Sequence, residues 1–225
     1  MFSVVIPTLN AAATLAGTLE SVAEADEVVV VDGGSGDGTV EVAERLGARV
    51  VMAARGRGGQ LVAGVAAARG EWLLLLHADT RLEEGWSRGP HLTLPLRPQG
   101  RRGDWERAYY FRFALDCDDP RARRLERMVA WRSRVLGLPY GDQGLLIHRD
   151  LLRSVGGVRA LPLMEDVDLA RRLGRRRLVA VDVAAVTSPA KWVREGWHRR
   201  SARNLVCLGL YFLGVPPRVI ARLYG

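Results

Sequence analysis

Lysine is almost missing from this chain of 225 residues: Lys191 stands alone among 33 basic side chains, and all the others are arginine. The formal net charge of +8 is therefore carried by guanidinium, which grips phosphate through paired N–H donors. That balance suits an anionic substrate or an acidic membrane surface, and an arginine-rich coding bias explains it equally well. Cysteine is scarce too. Cys117 and Cys207 lie far apart and fit no zinc or CxxC spacing, which argues against a disulfide framework and points to a reduced, cytoplasmic setting. No basic segment precedes the apolar start Met1–Pro7, so no secretion signal is expected. The apolar stretch from Asn204 to Pro217 falls short of the ~20 residues of a membrane-spanning helix. The tail from Arg194 to Leu213, basic first and apolar afterwards, still suits a helix lying on the inner face of a membrane. Helix-turn-helix, zinc and aromatic RNA-binding motifs are missing as well, which leaves a nucleic-acid partner with charge alone to support it.

What is present is a hydrophobic fraction of 48%, enough for one substantial core and one domain spanning 1–225. Strand and helix patterns alternate through the first eighty residues. Ser3 to Ile6, Glu27 to Val31, Arg49 to Met52 and Trp72 to Leu76 read as strands; Ala11 to Ala23, Asp37 to Leu46 and Gly58 to Ala68 read as helices. Repeated βα units of this length imply an α/β fold with a mainly parallel, twisted sheet covered on both faces. The pattern breaks near Gly85, where Pro90, Pro95, Pro98, Gly100 and Gly103, with Arg97, Arg101 and Arg102 among them, make a turn-rich, mobile connection. Beyond it, Ala108 to Leu115, Gly144 to His148 and Leu178 to Val181 read as strands, and Pro120 to Leu136, Arg149 to Val155 and Asp166 to Leu173 as helices. This division gives a nucleotide-binding half (1–80), an acceptor-binding half (104–190) and a C-terminal closing segment with an amphipathic helix (191–225).

Three acidic sites carry the chemistry. Asp32 follows four valines and precedes Gly33-Gly34-Ser35-Gly36-Asp37-Gly38. A carboxylate at a strand end accepts hydrogen bonds from a base or a ribose, and glycines let backbone approach closely. A plain glycine-rich turn with Asp37 capping the next helix is the competing account. The glycines follow the second strand and no Gly-Lys-Ser/Thr occurs, so the run is neither a Rossmann fingerprint nor a P-loop; a sugar-phosphate nucleotidyltransferase would need a glycine-rich basic loop after the first strand. Asp79, after Leu73 to Leu76, faces the same crevice and suits a Mg²⁺ or Mn²⁺ ion bridging a diphosphate, with His77 as a second ligand, a phosphate contact or an ordinary turn histidine; capping a helix from Arg81 is the alternative for Asp79. Glu165, Asp166 and Asp168 lie ahead of a helix, where one acid can take the proton from an acceptor hydroxyl opposite a departing diphosphate, or simply favour the helix N-terminus.

Pro7-Thr8-Leu9-Asn10, Val31-Asp32-Gly33-Gly34-Ser35-Gly36-Asp37-Gly38-Thr39, Leu76-His77-Ala78-Asp79, Gly156-Gly157 and Glu165-Asp166-Val167-Asp168 together resemble the ordered motifs of glycosyltransferase family 2, which has the GT-A fold. The resemblance implies inverting transfer from a UDP-sugar or similar donor to a small-molecule or lipid acceptor. It implies donor binding by Pro7, Thr8, Asn10, Asp32, Arg57, Gln60, Lys191 and Arg194, metal binding by Asp79, and Asp166 as catalytic base. Asp142, Gln143, Glu165 and Trp192 fall on the acceptor side, with a plain turn at 141–144 and core packing of Trp192 as the competing accounts. Ala11, Gly33 and His77 replace acids frequent in the family, so fewer carboxylates surround the donor. Asp-Gly-Gly-Ser, His-Ala-Asp-Thr and the ending from Trp192 to Val215 are similar to the subgroup labelled arsenosugar-biosynthesis glycosyltransferases.

Overall fold

The computed structural model describes residues 1–87 and 104–224; the turn-rich connection at 90–103 lies outside them. Four valine- and leucine-rich strands, β1 (Phe2–Thr8), β2 (Glu27–Asp32), β3 (Arg49–Met52) and β4 (Trp72–Leu75), run parallel in the order β3-β2-β1-β4. Helices α1 (Ala12–Ser21), α2 (Thr39–Arg45) and α3 (Arg57–Ala67) make the crossovers. Alternate residues of β1 serve opposite faces, as the pleat requires: Val4 and Ile6 pack with Leu15, Leu19 and Val30, while Val5 packs with Val29, Val31, Leu61 and Leu73. The small residues of α3 allow it to lie close to the sheet. A Cβ on Gly64 would stand 2.3 Å from Val5 Cγ1 and 2.7 Å from Val31 Cγ2.

The sheet then changes character. β7 (Leu145–His148) pairs antiparallel with β4 and with β6 (Ala108–Leu115), and β8 (Leu178–Thr187) runs parallel to β6 and antiparallel to β5 (Thr80–Leu82). Among the described residues, eight strands form one mixed sheet, β3-β2-β1-β4-β7-β6-β8-β5. Residues after Asp79 form β5, which removes the alternative of a helix from Arg81: Thr80 and Leu82 point inward and Thr80 Oγ1 meets Thr187 Oγ1 at 3.0 Å. One local expectation changes. β8 runs on past Val181 to Thr187, beyond a register shift opposite Phe111 and Arg112, and so reaches the end of the sheet where Asp79 lies.

α4 (Pro120–Trp131) passes into a π-helical turn over Arg132–Leu136, ended by left-handed Gly137 (φ 65°). α5 (Arg149–Ser154) and α6 (Glu165–Leu173) pack on the α3 side of the sheet. The tail is three helices where one was expected: α7 (Ala190–Glu195), α8 (Trp197–Phe212) and α9 (Pro217–Tyr224). Gly196 (φ 84°) breaks the first from the second. Trp192 and Trp197 bury against β6 and α4, and Cys207, Leu208 and Ile220 against Leu138, Met164 and Val167. The tail therefore folds back over the carboxyl ends of the strands. Among the described residues no helix is long and apolar enough to cross a membrane.

Candidate active site

Asp32 ends β2 buried beneath its own loop. Its Oδ2 accepts the N–H groups of Gly34 (2.8 Å) and Ser35 (2.7 Å), and its Oδ1 accepts the hydroxyls of Thr8 (3.0 Å) and Ser35. Burial alone would raise its pKa, but these donors outweigh it and hold the carboxyl below the usual range. Gln60, also buried, donates from Nε2 to the carbonyls of Thr8 (2.7 Å) and Val31 (2.8 Å). Thr8, Asp32 and Gln60 thus shape the loop from below and line neither cavity described next. Asp37 does not cap α2 with its side chain; left-handed Gly38 takes that position, and Asp37 receives the N–H groups of Thr39 and Ala12. Asn10 (φ 50°) is held by Ser35 and Gly36 with its side chain at the rim.

Two cavities open beyond the strand ends. The first, about 330 Å³, is lined by Pro7, Leu9, Asn10, Ala11 and Ser188 among others. The second, about 440 Å³, is lined by Tyr140, Asp142, Asp166, Trp192 and residues of α8 and α9. Arg57, His77, Asp79, Lys191 and Arg194 line both. At this junction Lys191 Nζ lies 2.7 Å from Asp79 Oδ2. Burial pulls the Asp79 pKa up, yet Lys191 and His77 leave it lowered, so the carboxylate is charged. Arg57 Nη1 lies 3.2 Å from His77 Nε2; burial and that guanidinium push His77 down to about 4, so the ring is neutral at pH 7.

A divalent cation fits this junction on narrow terms. Asp79 offers one carboxylate, and Mg²⁺ is commonly held by one or two carboxylates plus substrate phosphates. His77 does not fit as a second ligand, because its Nε2 faces a cation. Among the described residues no group of three His, Cys, Asp or Glu side chains is arranged to hold a metal.

The opposite wall comes from α6 and the loop before β7. Met164 adopts a left-handed conformation (φ 66°) ahead of α6, rare for a residue with a side chain and found where a site constrains the backbone. Glu165 lies 1% exposed and pairs with Arg57, while Asp166 points to the second cavity. Asp166 Oδ2 accepts Gly141 N–H at 2.9 Å, and Oδ1 accepts Val167 N–H at 2.8 Å. Gly141 is needed here: a Cβ would stand 2.4 Å from His77 Nε2. Asp168 is taken up by Arg159 and Arg172. Gln143 is buried, accepting Ser133 Oγ–H at 2.7 Å and donating to the Phe111 carbonyl at 3.0 Å. Glu165 and Gln143, expected on the acceptor side, are therefore internal supports; Asp142 and Trp192 do reach the second cavity.

Burial pushes the Asp142 carboxyl up to about 6, with Asp166 and Asp79 adding to it against Arg132. An ordinary aspartate near 3.8 in the unfolded chain binds its proton less tightly, so ionising Asp142 above pH 6 costs the fold, and below about pH 4 the cost is gone. Asp142→Asn is accordingly expected to be more stable than the parent at pH 8, by at most about 3 kcal/mol or roughly 6–12 °C in Tm, and to lose that advantage by pH 4. Calorimetry across pH checks it; equal Tm differences at both ends would show that Asp142 ionises normally.

Sequence reasoning missed Tyr140, Glu195, Arg200, Arg203, Asn204 and Tyr224 as lining residues. The signal was present in α8: Trp197, Arg200, Asn204, Cys207 and Leu208 recur at helical spacing, and that stripe faces inward.

Residues 3–88 match the protein family described as glycosyl transferase family 2. A PGL/p-HBAD biosynthesis glycosyltransferase of Mycobacterium bovis is 42% identical over 95 residues, covering 37% of this chain and 37% of the relative; the chain thus matches little more than a third of that relative's length. Among solved structures, glucosyl-3-phosphoglycerate synthase from Mycobacterium tuberculosis, in complex with Mn²⁺ and UDP-glucose, superposes with a TM-score of 0.62 at 22% identity, covering 96% of this chain and 80% of that one. Mannosyl-3-phosphoglycerate synthase from Rubrobacter xylanophilus gives 0.60 at 20% identity, covering 95% and 75%. At such identities the likeness is one of fold. The relative's name refers to PGL/p-HBAD and not to arsenosugars. The family 2 glycosyltransferase match thus spans the first four strands of this chain, and the fold of the whole is the GT-A fold.

Proposed function

We propose that this protein transfers a sugar from a nucleoside diphosphate donor, a UDP-sugar, to a hydroxyl of a small acceptor, with inversion. One observation carries the reading: two cavities meet at a junction holding Arg57, Lys191 and Arg194, and a carboxylate, Asp166, lies on the far cavity's wall. The nucleoside occupies the first cavity beside Pro7 and Asn10. The diphosphate sits at the junction, where three cations meet the charge it gathers as its bond to the sugar breaks. The sugar extends into the second cavity. There the acceptor oxygen bonds to the anomeric carbon, the bond to the diphosphate oxygen breaks, and Asp166 takes the acceptor's proton. A divalent ion, when bound through Asp79, would add neutralising charge at the same diphosphate. The solved relative's complex with Mn²⁺ and UDP-glucose supports both the donor and the ion.

A specific observation favours a second reading of the base: Asp142 lines the same cavity, has an oxygen without a partner, and is pushed up to about 6, closer to neutral pH than an ordinary carboxylate. A nucleotidyltransferase is not favoured, since Pro7–Asn10 offers no glycine-rich basic loop. The cytoplasm suits the two free cysteines, and the exposed Leu205, Phe212 and Leu213, with the exposed Arg199, Arg218 and Arg222 of the same helical tail, suit contact with an acidic membrane face. The arsenosugar label rests on the motifs alone.

The test is calorimetric titration with UDP, UMP and uridine. UDP is expected to bind tightest, and Lys191→Ala to weaken UDP by about 10- to 100-fold, the range of a lost charge-assisted hydrogen bond, while changing uridine little. Equal affinity for UDP and uridine in the parent would remove the diphosphate from the junction.

A further inference from the structure

We infer that the C-terminal lobe of the second cavity recognises an acceptor carrying an anionic group, phosphate or carboxylate, next to a hydroxyl. The inference rests on the transfer reaction proposed above and names its acceptor class. Among the described residues, the buried side-chain polar atoms without a partner concentrate here: Asp142 Oδ1, Trp192 Nε1, Arg200 Nε, Arg203 Nε and Asn204 Oδ1 all belong to residues lining this one cavity, and only two other such atoms lie elsewhere. Folded proteins pair nearly all such groups, so a concentration of unpaired ones marks where a ligand completes them. Trp192 and Arg200 are 6% and 9% exposed, so water outside the fold does not serve them.

The chemistry of the set defines its ligand. Three of the atoms are N–H donors, two of them on guanidinium groups, and two are oxygens that accept. Glu195 is the carboxylate of this lobe, and Arg194, Arg200 and Arg203 all pair with it, which leaves positive charge in surplus. Glu195 accepts from one terminal nitrogen of each of Arg200 and Arg203, the other terminal nitrogen of Arg200 donates to Tyr224 Oη at 3.3 Å, and the ring of Trp192 lies 4.8 Å from Arg200 and that of Tyr224 4.7 Å from Arg203. Both guanidiniums are thus fixed with their Nε edges unused, a pre-organised cradle for an oxyanion. The oxygens of Asp142 and Asn204 suit hydroxyl donors. Asp166 shares the cavity, so an acceptor anchored by its anion presents a neighbouring hydroxyl to the base. A purely hydrocarbon acceptor pairs none of these atoms.

The probes are glycerol 3-phosphate, glycerate and glycerol, titrated into the full chain with and without UDP, beside vesicles containing phosphatidylglycerol. Glycerol 3-phosphate or glycerate is expected to raise Tm at concentrations where glycerol does nothing, and Arg203→Met to weaken that anion at least tenfold with UDP affinity within twofold of the parent. Should Arg203→Met prove unfolded, Asn204→Leu provides the second variant, with the same split expected. Response to vesicles but not to the free phosphate, lost in Arg203→Met, assigns the same cradle to a lipid headgroup and supports the inference. Glycerol binding as well as glycerol 3-phosphate overturns it, and so does equal weakening of UDP and anion in Arg203→Met, which gives the lobe to the donor. Loss of UDP binding by the parent protein defeats the underlying transfer reaction instead, a separate result.

Discussion

Asp166→Asn is expected to bind UDP as the parent does and to transfer sugar about 10²- to 10⁴-fold more slowly, the usual contribution of a positioned general base. The substitution isolates the proton. Asparagine keeps an oxygen that accepts Gly141 N–H, now at 2.9 Å, and the loop that also approaches His77 stays in place. What disappears is a group able to take a proton from the acceptor hydroxyl. Loss of one negative charge in the first turn of α6 costs only about 0.3–1 kcal/mol, too little to unfold the chain, and Glu165 and Asp168 remain in that turn. Single-turnover transfer measured beside UDP affinity separates the two effects. Turnover within threefold of the parent in Asp166→Asn, with the large loss found in Asp142→Asn, would move the base to Asp142.

The second large effect concerns stability. Arg57→Met should lower Tm by roughly 10 °C, because Glu165 is 1% exposed and Arg57 is its ion-pair partner. Removing one member of a buried pair strands the other charge, at about 3–5 kcal/mol. The burial that already pushes the Glu165 pKa up would then act with no guanidinium opposing it. Replacing both members tests the cause. Glu165 borders a small, mostly apolar void with Leu61, Leu75 and Leu169, so Leu at 165 has apolar company, and Arg57→Met with Glu165→Leu should recover most of the lost Tm. The double variant should still fail in transfer, since the junction has lost a cation. A double variant no more stable than Arg57→Met would show that the stranded carboxylate is not the cause.

The legible part of this protein is local and periodic. Four valines before Asp32, the leucines of β4 and the small residues of α3 report burial on both faces of a sheet, and each needs only its own neighbours in sequence. The glycine turns carry the same kind of information. Less legible were β5 and the second half of β8, short pieces whose pairing depends on partners more than a hundred residues away. The break at Gly196 was also hidden, because a basic-to-apolar run has the same composition whether it is one bilayer-seeking helix or a bend that returns to the core.

At the site the division is sharper. Residue type named the acids and the arginines, but not which of them stay exposed. Thr8, Asp32, Gln60, Gln143 and Glu165 were all chemically apt for a ligand, and all are spent on internal partners. Arg200, Arg203 and Asn204 read as a solvated or membrane-facing stretch, yet they line the cavity beside Asp166.

By itself the sequence determined the αβ alternation, the strand ends at Asp32 and Asp79, and the acidic start of α6, because hydrophobic period and turn chemistry act over a few residues. Only the tertiary structure decided which polar groups face a cavity and which face each other. A buried polar atom must find a partner wherever the fold supplies one, and that supply comes from segments the chain brings together from opposite ends.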